Sequence, residues 1–300
     1  MTLFALPLVG GAGLGNGLFP WARAELFARS AKAPVLAPRW TRFRIGPYLR
    51  REPEKRRYGG FFRAAGHVRG ISRLVIRARA RHLPEGQPPQ VYAEAQRSSL
   101  PSVVRFEGTA DLFTPLLGEH DFIRDKLWDM TREPLRAAAM AYPVPFVALH
   151  VRRGDITRQG FSANDLSDVK QYTPLSWFKS MVSEVKQIAS VRNLSIVVFT
   201  DGSAEELQEL LVLEGVRLHD RRTAITDLWI MSQASLLFAS GFSTFGMWAS
   251  YLGGMPTLYA PGKLQQRVQA GRPGPVELEI GEGEAIPDAA LLRVPGVRLS

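Results

Sequence analysis

Apolar residues in this chain come in short uninterrupted runs divided by Gly-, Pro- and charge-rich stretches. The first run, Leu3-Phe4-Ala5-Leu6-Pro7-Leu8-Val9, is stopped by glycines and reads as a buried strand in which only Pro7 is out of character. Gly10 to Gly17 then predict a loop, and Leu18, Trp21, Ala22 and Leu26 fall at helical spacing up to Ser30. From about residue 140 the pattern turns regular. Strands are predicted at 146–150, 195–200, 216–218, 236–239 and 257–259. Helices are predicted from Pro174 onward and at 204–213, 225–233 and 245–252. Such alternation implies an α/β fold: a parallel sheet with helices on both faces and ligands beyond the C-terminal strand ends.

Two stretches resist this reading. Residues 38–110 are rich in Arg, Pro and Gly, with small apolar islands. Within them Arg69, Arg73, Arg77 and Arg81 recur every four residues, which makes one basic stripe if a helix runs through Gly70. The stripe is either a solvated face or an edge for acidic lipid or a polyanion. After Pro261 the chain carries Pro273, Pro275, Pro287 and Pro295, which predicts an irregular tail packing back on the first lobe.

Composition narrows the classes. The 300 residues hold 38 Lys and Arg against 28 Asp and Glu, a formal charge of +10, and no cysteine. Disulfides, thiolate metal sites and Cys nucleophiles are thereby excluded. No apolar stretch reaches the roughly 18 residues of a membrane span. The apolar N-terminus has no Lys or Arg before Arg23, so it lacks the basic start of a signal peptide and reads as a strand. The arginine excess is either a solvated surface or the footprint of an anionic partner, and charge alone does not choose.

The strand ends choose. The run at 146–150 leads into His150-Val151-Arg152-Arg153-Gly154-Asp155, the next strand into Thr200-Asp201-Gly202, and the strand at 236–239 into Ser240-Gly241-Phe242-Ser243-Thr244-Phe245, which enters a helix. Guanidinium forks, hydroxyls and a helix N-terminus on one sheet edge suit a diphosphate. Asp227 opens a helix, where its carboxylate either takes ring N–H groups of a base or acts as an N-cap. No Asp-x-Asp and no cluster with metal-ligand spacing is present, so a departing diphosphate would be neutralised by Arg and helix dipole.

At these residues the sequence resembles a known family. His150 to Asp155 resembles the His-x-Arg-Arg-x-Asp motif of α-1,2-, α-1,6- and protein O-fucosyltransferases. Asp227-Leu-Trp-Ile-Met-Ser-Gln-Ala234 with Ser240 to Phe245 is similar to their donor-site segment, and Val198-Phe-Thr-Asp-Gly202 to their Phe-Ser/Thr-Asp segment. Gly11-Ala-Gly-Leu-Gly-Asn-Gly-Leu-Phe19 resembles the opening of the α-1,2 branch. The four blocks keep the family's order across residues 11–252. The resemblance implies a GT-B fold, two Rossmann-like lobes with parallel sheets and a cleft between them. It assigns 1–140 to an acceptor-side lobe, 141–262 to a donor-side lobe holding GDP-fucose, and 263–300 to a tail. Transfer would be inverting and metal-independent, with GDP-fucose as donor substrate, no other cofactor, and a glycan acceptor.

Carried over residue by residue, Arg152 binds the β-phosphate and stabilises the leaving group, and Asp155 is the second catalytic candidate. His150, Arg153, Asp201, Asp227, Ser243 and Thr244 join Arg152 in donor binding, with Asp227 at the guanine, and Gly13, Gly15 and Asn16 of the opening block complete that set. Asp165 and Asp168 read as solvated loop acids. The implied setting is the bacterial cytoplasm, with the basic stripe adding peripheral attachment to an anionic inner-membrane surface. Departures from the family leave acceptor and linkage open. Gly17 stands where the family has Gln, Gly246-Met247-Trp248 where it has a Trp pair, and 38–135 has no counterpart.

Alternatives are another GDP-hexose as donor, or a transferase that keeps the nucleotide and has lost turnover. A short-chain oxidoreductase would use Gly11-x-x-x-Gly15-x-Gly17 and Tyr259-x-x-x-Lys263, but Pro261-Gly262 break the helix that pair needs. A basic nucleic-acid-binding protein is the non-enzyme alternative, and no zinc-finger, RRM or homeodomain pattern supports it.

Overall fold

The computed structural model describes residues 2–10, 12–41, 57–153, 172–188 and 194–294. Gly11, Gly154, Asp155, Asp165 and Asp168 lie outside them. The chain separates into two units, Met1–Glu133 and Pro134–Ser300.

In the first unit the opening apolar run forms β1 (Leu3–Leu8), which pairs in parallel with β3 (Ser102–Glu107), itself paired in parallel with β2 (Arg81–Pro84). On its other side Ala5 donates to the Pro34 carbonyl at 3.0 Å and accepts from Leu36 at 2.8 Å. Pro7 stands where the next bond of that short ladder would form. The ladder ends there, which is how a strand with paired neighbours tolerates proline.

The expected loop over 10–17 is shorter than predicted. Helix α1 spans Leu14–Ala31, with Gly13 as N-cap and Gly15, Asn16 and Gly17 inside its first turns. Glycine is not required for space here: a Cβ on Gly17 would make ordinary contacts, 3.4 Å from the Val9 carbonyl oxygen and 3.7 Å from the Trp40 ring. The burial of Leu14, Leu18 and Trp21 outweighs the poor helix propensity of the glycines.

Helix α2 (Gly70–Arg79) corrects the basic stripe. Arg81 is already in β2, Arg69 is the N-cap, and Arg73 is buried at 7% exposure, its Nε donating to the Ala37 carbonyl at 2.7 Å. Ile76 packs inward beside it, so the face left to solvent is apolar: Ile71, Leu74 and Val75 are exposed. Helices α3 (Pro88–Gln96) and α4 (His120–Met130) complete the unit. Arg23 of α1 is also interior, donating to Glu85 at 2.7 Å and to the Glu107 carbonyl at 2.8 Å. Part of the arginine excess is therefore structural rather than solvated.

The second unit opens with α5 (Glu133–Met140) and follows the predicted alternation. It runs β4 (Val147–Val151), α6 (Leu175–Ile188), β5 (Ile196–Thr200), α7 (Gln208–Leu211), β6 (Val216–Leu218), α8 (Ala224–Met231), β7 (Leu236–Ala239), α9 (Thr244–Gly253) and β8 (Thr257–Tyr259). The strands read as continuous apolar runs because helices cover both faces of the sheet. The tail is less irregular than expected. It supplies a sixth strand, β9 (Glu277–Glu279), parallel to β8, and a short helix α10 (Asp288–Leu291), and Ile280, Ile286 and Leu291 enter this unit's core.

Strand order is β6-β5-β4-β7-β8-β9, every pair parallel. From β4 the chain winds outward through β5 and β6, and from β7 it winds the other way through β8 and β9. This is the doubly wound Rossmann order, and its switch point lies between β4 and β7.

Candidate functional site at the switch point

The carboxyl ends of β4 and β7 flank the switch point, the position at which doubly wound sheets open a crevice. Its walls are stitched together. Ser240 N donates to the His150 carbonyl at 2.9 Å, and Arg152 N donates to Ser240 Oγ at 2.9 Å. The loop after β7 turns tightly: Gly241 N donates to Thr173 Oγ1 at 3.2 Å, and Phe242 adopts a left-handed φ of 53°. A Cβ on Gly241 would lie 2.6 Å from Lys263 Cβ and 2.9 Å from the Lys263 carbonyl oxygen, so only glycine fits. That turn delivers Ser243 as the N-cap of α9, buried, with its hydroxyl making no capping bond, and Thr244 as the first helical residue. The positive end of the α9 dipole thus opens at the switch point.

Asp201, just after β5, braces the opposite wall. Its Oδ1 accepts from Arg153 N at 2.7 Å, and its Oδ2 forms an ion pair with the Arg152 guanidinium. The Arg152 side chain keeps 31% exposure, so it is held by one carboxylate while still reachable from solvent. Arg153 differs. It is buried, donates to the Arg152 carbonyl at 2.8 Å and the Thr173 carbonyl at 3.0 Å, and lies 4.8 Å from the Tyr172 ring centroid. The two adjacent arginines divide the work: Arg153 fixes the backbone, and Arg152 presents charge.

His150, the penultimate residue of β4, has its ring buried against Phe245, centroids 6.0 Å apart, and its Nδ1 has no hydrogen-bond partner. Burial, and secondarily the Arg152 charge, push its pKa down to about 3. The ring is therefore neutral at physiological pH and offers a hydrogen bond rather than a charge. Gly246 makes room for it, since a Cβ there would approach Nδ1 to 2.8 Å.

Asp227 is not an N-cap, because that position is Thr223. It lies in the first turn of α8, where its Oδ1 accepts from His219 Nε2 at 2.9 Å and from Arg222 N at 3.1 Å. His219 in turn stacks on Phe199, centroids 4.4 Å apart. In the first unit Gly13, Gly15 and Asn16 form the start of α1, which has no side-chain cap. The structure thus gathers His150, Arg152, Arg153, Asp201, Ser243 and Thr244 at the strand ends and helix start of one sheet edge.

Thr173, Tyr172 and His219 escaped the sequence reading, and Lys263 entered it only as a partner for Tyr259. Thr173 and Tyr172 anchor the loop and Arg153, and His219 orients Asp227. Lys263 covers Gly241, and burial lowers its amine below the usual pKa. Only His219, one residue past β6, carried a readable signal. Tyr259 is buried at the end of β8 and shares no helix with Lys263, so the oxidoreductase pair is not formed. Among the described residues no group of three or more His, Cys, Asp or Glu side chains could hold a metal ion, and no helix is long and apolar enough to cross a membrane.

These features define an α/β protein whose second unit is a doubly wound parallel sheet. No protein-family model matches the sequence, and no curated protein matches it. Solved structures do. The chain is similar to POFUT1 in complex with GDP-fucose, at 14% identity and a TM-score of 0.52, over 94% of this chain and 98% of that one. It is similar to NodZ α-1,6-fucosyltransferase soaked with GDP-fucose, at 14% identity and a TM-score of 0.51, over 84% and 93%. For fucosyltransferase NodZ from Bradyrhizobium the values are 14%, 0.51, 83% and 93%. The fold is accordingly the α/β GT-B class of these fucosyltransferases, with parallel sheets in both units.

Proposed function

We propose that this chain is an inverting, metal-independent glycosyltransferase that moves fucose from GDP-fucose to a glycan hydroxyl in an α-1,2 linkage. The observation that carries the reading is Arg152, braced by Asp201 and facing solvent at the switch point that also receives the α9 N-terminus. The same fold in enzymes captured with GDP-fucose supports it.

In this reading the acceptor oxygen bonds to the sugar C1 as the C1–O bond to the diphosphate breaks, and GDP leaves with the electron pair. Arg152 and the start of α9 stabilise the charge that grows on the β-phosphate, an effect of about 3–4 kcal/mol per well-placed donor. Neutral His150 hydrogen-bonds the nucleoside through its unpartnered Nδ1. Asp227 takes the guanine through Oδ2, the oxygen that neither His219 nor Arg222 engages. Gly13, Gly15 and Asn16 contribute the opening turn to the donor site, and Asp155 is the candidate that receives the acceptor proton. The domain plan remains an acceptor-side lobe over 1–140, a donor-side lobe over 141–262 and a tail over 263–300. A second GDP-hexose remains the alternative donor, since Asp227 reads the base and nothing described reads the sugar.

Thermal shift across GDP, UDP, CDP and NADP tests the reading, because stabilisation follows RT ln(1 + [L]/Kd). GDP should give the largest shift, with Mg²⁺ and EDTA changing it little. An equal shift for UDP, or none for GDP, overturns it. For localisation we propose the cytoplasm, with peripheral attachment to an anionic membrane. The contact is now the exposed Ile71, Leu74 and Val75 ridge of α2, with Arg69 and Arg79 beside it. Vesicles of anionic lipid should co-sediment the chain and should lose it with Leu74→Ser. Sedimentation that ignores either the lipid charge or the substitution removes this attachment.

A further inference from the structure

We infer that the first unit holds a binding site for an anionic saccharide, built from Arg39, Arg63 and the ring of His67. The inference rests on the transferase reading, in which this ligand is the acceptor.

A cavity of about 280 Å³ opens among Arg39, Trp40, Thr41, Phe62, Arg63 and His67. Ligand cavities begin at roughly 300 Å³, so this one suits a single sugar residue. The His67 side chain is 6% exposed, and its Nε2 lies 2.6 Å from Glu25 Oε1, an oxygen that also accepts from Trp21 Nε1 at 3.1 Å. Glu25 accepts as a carboxylate, which places a proton on Nε2. Nδ1 is buried and has no partner in the protein. Buried polar atoms are almost always satisfied, so an unpartnered nitrogen in a ring that lines the cavity leaves a hydrogen bond that a ligand hydroxyl can make, as donor or acceptor.

Charge supplies the second half of the specificity. Residues 57–84 carry seven arginines and no acidic residue. Among the described residues neither Arg39 nor Arg63 pairs with a carboxylate, and Arg63 spends only its Nε, on the Asp129 carbonyl at 2.5 Å. Arg73 behind them is held below the usual guanidinium pKa by burial and by the charges of Arg77 and Arg39. Cations that raise one another's energy with no counter-charge are relieved by an anion. Trp40 and Phe62, ring centroids 4.3 Å apart and both largely buried, make a stiff apolar wall for the face of a sugar ring. An unpartnered ring nitrogen, an apolar wall and guanidinium groups with no carboxylate among their described partners together select a sugar bearing a carboxylate or a phosphate.

The test uses saturation-transfer NMR on the full chain with three probes: glucuronic acid, glucose 6-phosphate and neutral glucose. At least one charged sugar should bind at least tenfold tighter than glucose, and the better of the two identifies the anion. Arg39→Ala, an exposed substitution that leaves the Glu25–His67 pair intact, should weaken the charged sugar at least fivefold and leave GDP affinity unchanged. No binding, equal binding of all three probes, or charged-sugar binding indifferent to Arg39→Ala overturns the site. GDP titration of the same samples separates the two readings. Loss of GDP binding with the sugar preference intact removes the transferase reading alone, whereas GDP binding without the sugar preference removes this site alone.

Discussion

Arginine is treated in opposite ways in the two units. At the switch point of the second unit Arg152 is paired with Asp201 and its neighbour Arg153 is satisfied by carbonyls, so one guanidinium is fixed and aimed. In the first unit Arg39, Arg73 and Arg77 crowd one another with no carboxylate among their described partners. A charge that must act in a transition state has to be pre-oriented before reaction, since reorienting it later raises the barrier. A charge kept without a counter-ion instead stores an unmet demand for an anion.

The largest expected effect breaks the comparison on its ordered side. Arg152→Ala should lower turnover with GDP-fucose about 10²–10³-fold while the melting temperature stays near wild type, measured by steady-state kinetics and calorimetry. Asp201→Asn should fall between that variant and wild type, because the guanidinium remains and only its bracing is lost. Turnover in Arg152→Ala equal to wild type would remove the residue from the mechanism.

Next comes the pH response of the same wall. His150 in the folded state has its pKa lowered to about 3, below the unfolded value of 6.5, so the folded form binds fewer protons. Its stability contribution is fully present above pH 6.5 and is lost as pH falls toward 3. Denaturant unfolding at pH 7 and pH 4.5 should differ by on the order of 2–3 kcal/mol more in wild type than in His150→Asn. Parallel slopes for the two proteins would contradict a neutral buried ring.

Gly241→Ala sharpens the packing side of the site. With backbone and the Lys263 stem inside 3 Å of the new methyl group, it should cost about 1–3 kcal/mol in chemical denaturation. A neutral outcome would show that the turn has slack. The smallest effect belongs to the first unit. Raising salt from 0.1 to about 0.5 M screens the mutual repulsion of Arg39, Arg73 and Arg77 and should stabilise the fold by a few tenths of a kcal/mol. Arg39→Ala should flatten that dependence, and an unchanged salt slope would show that the three charges do not interact.

The strand ends of the second unit were legible because their elements are local. Each buried strand is a short apolar run, and the residue after it is at the sheet edge whatever else the chain does. That is why His150, Arg152, Asp201 and Ser243 could be named from the sequence. The first unit was opaque for a physical reason that α2 makes plain. A four-residue repeat of arginines predicts one outward basic stripe, solvated or facing an anionic partner, yet Arg73 turns inward to cap the Ala37 carbonyl and the apolar side faces out. Amphipathic spacing tells that a helix has two faces without telling which one the fold covers. The glycines of 13–17 show the same limit: propensity predicts a loop, and the burial of Leu14, Leu18 and Trp21 holds them in a helix.

By itself the sequence determined the parallel α/β class, the strand-end residues and the absence of thiol chemistry, because each follows from periodicity or composition along the chain. Tertiary structure alone decided that β4 and β7 are neighbours, that the tail closes the sheet as its sixth strand, and that Asp201 belongs to Arg152. It alone also brought His67 to Glu25 across 42 positions. Those pairings join residues far apart in sequence, and nothing along a single chain records which distant partner will satisfy a buried charge or an open hydrogen bond until packing brings the two together.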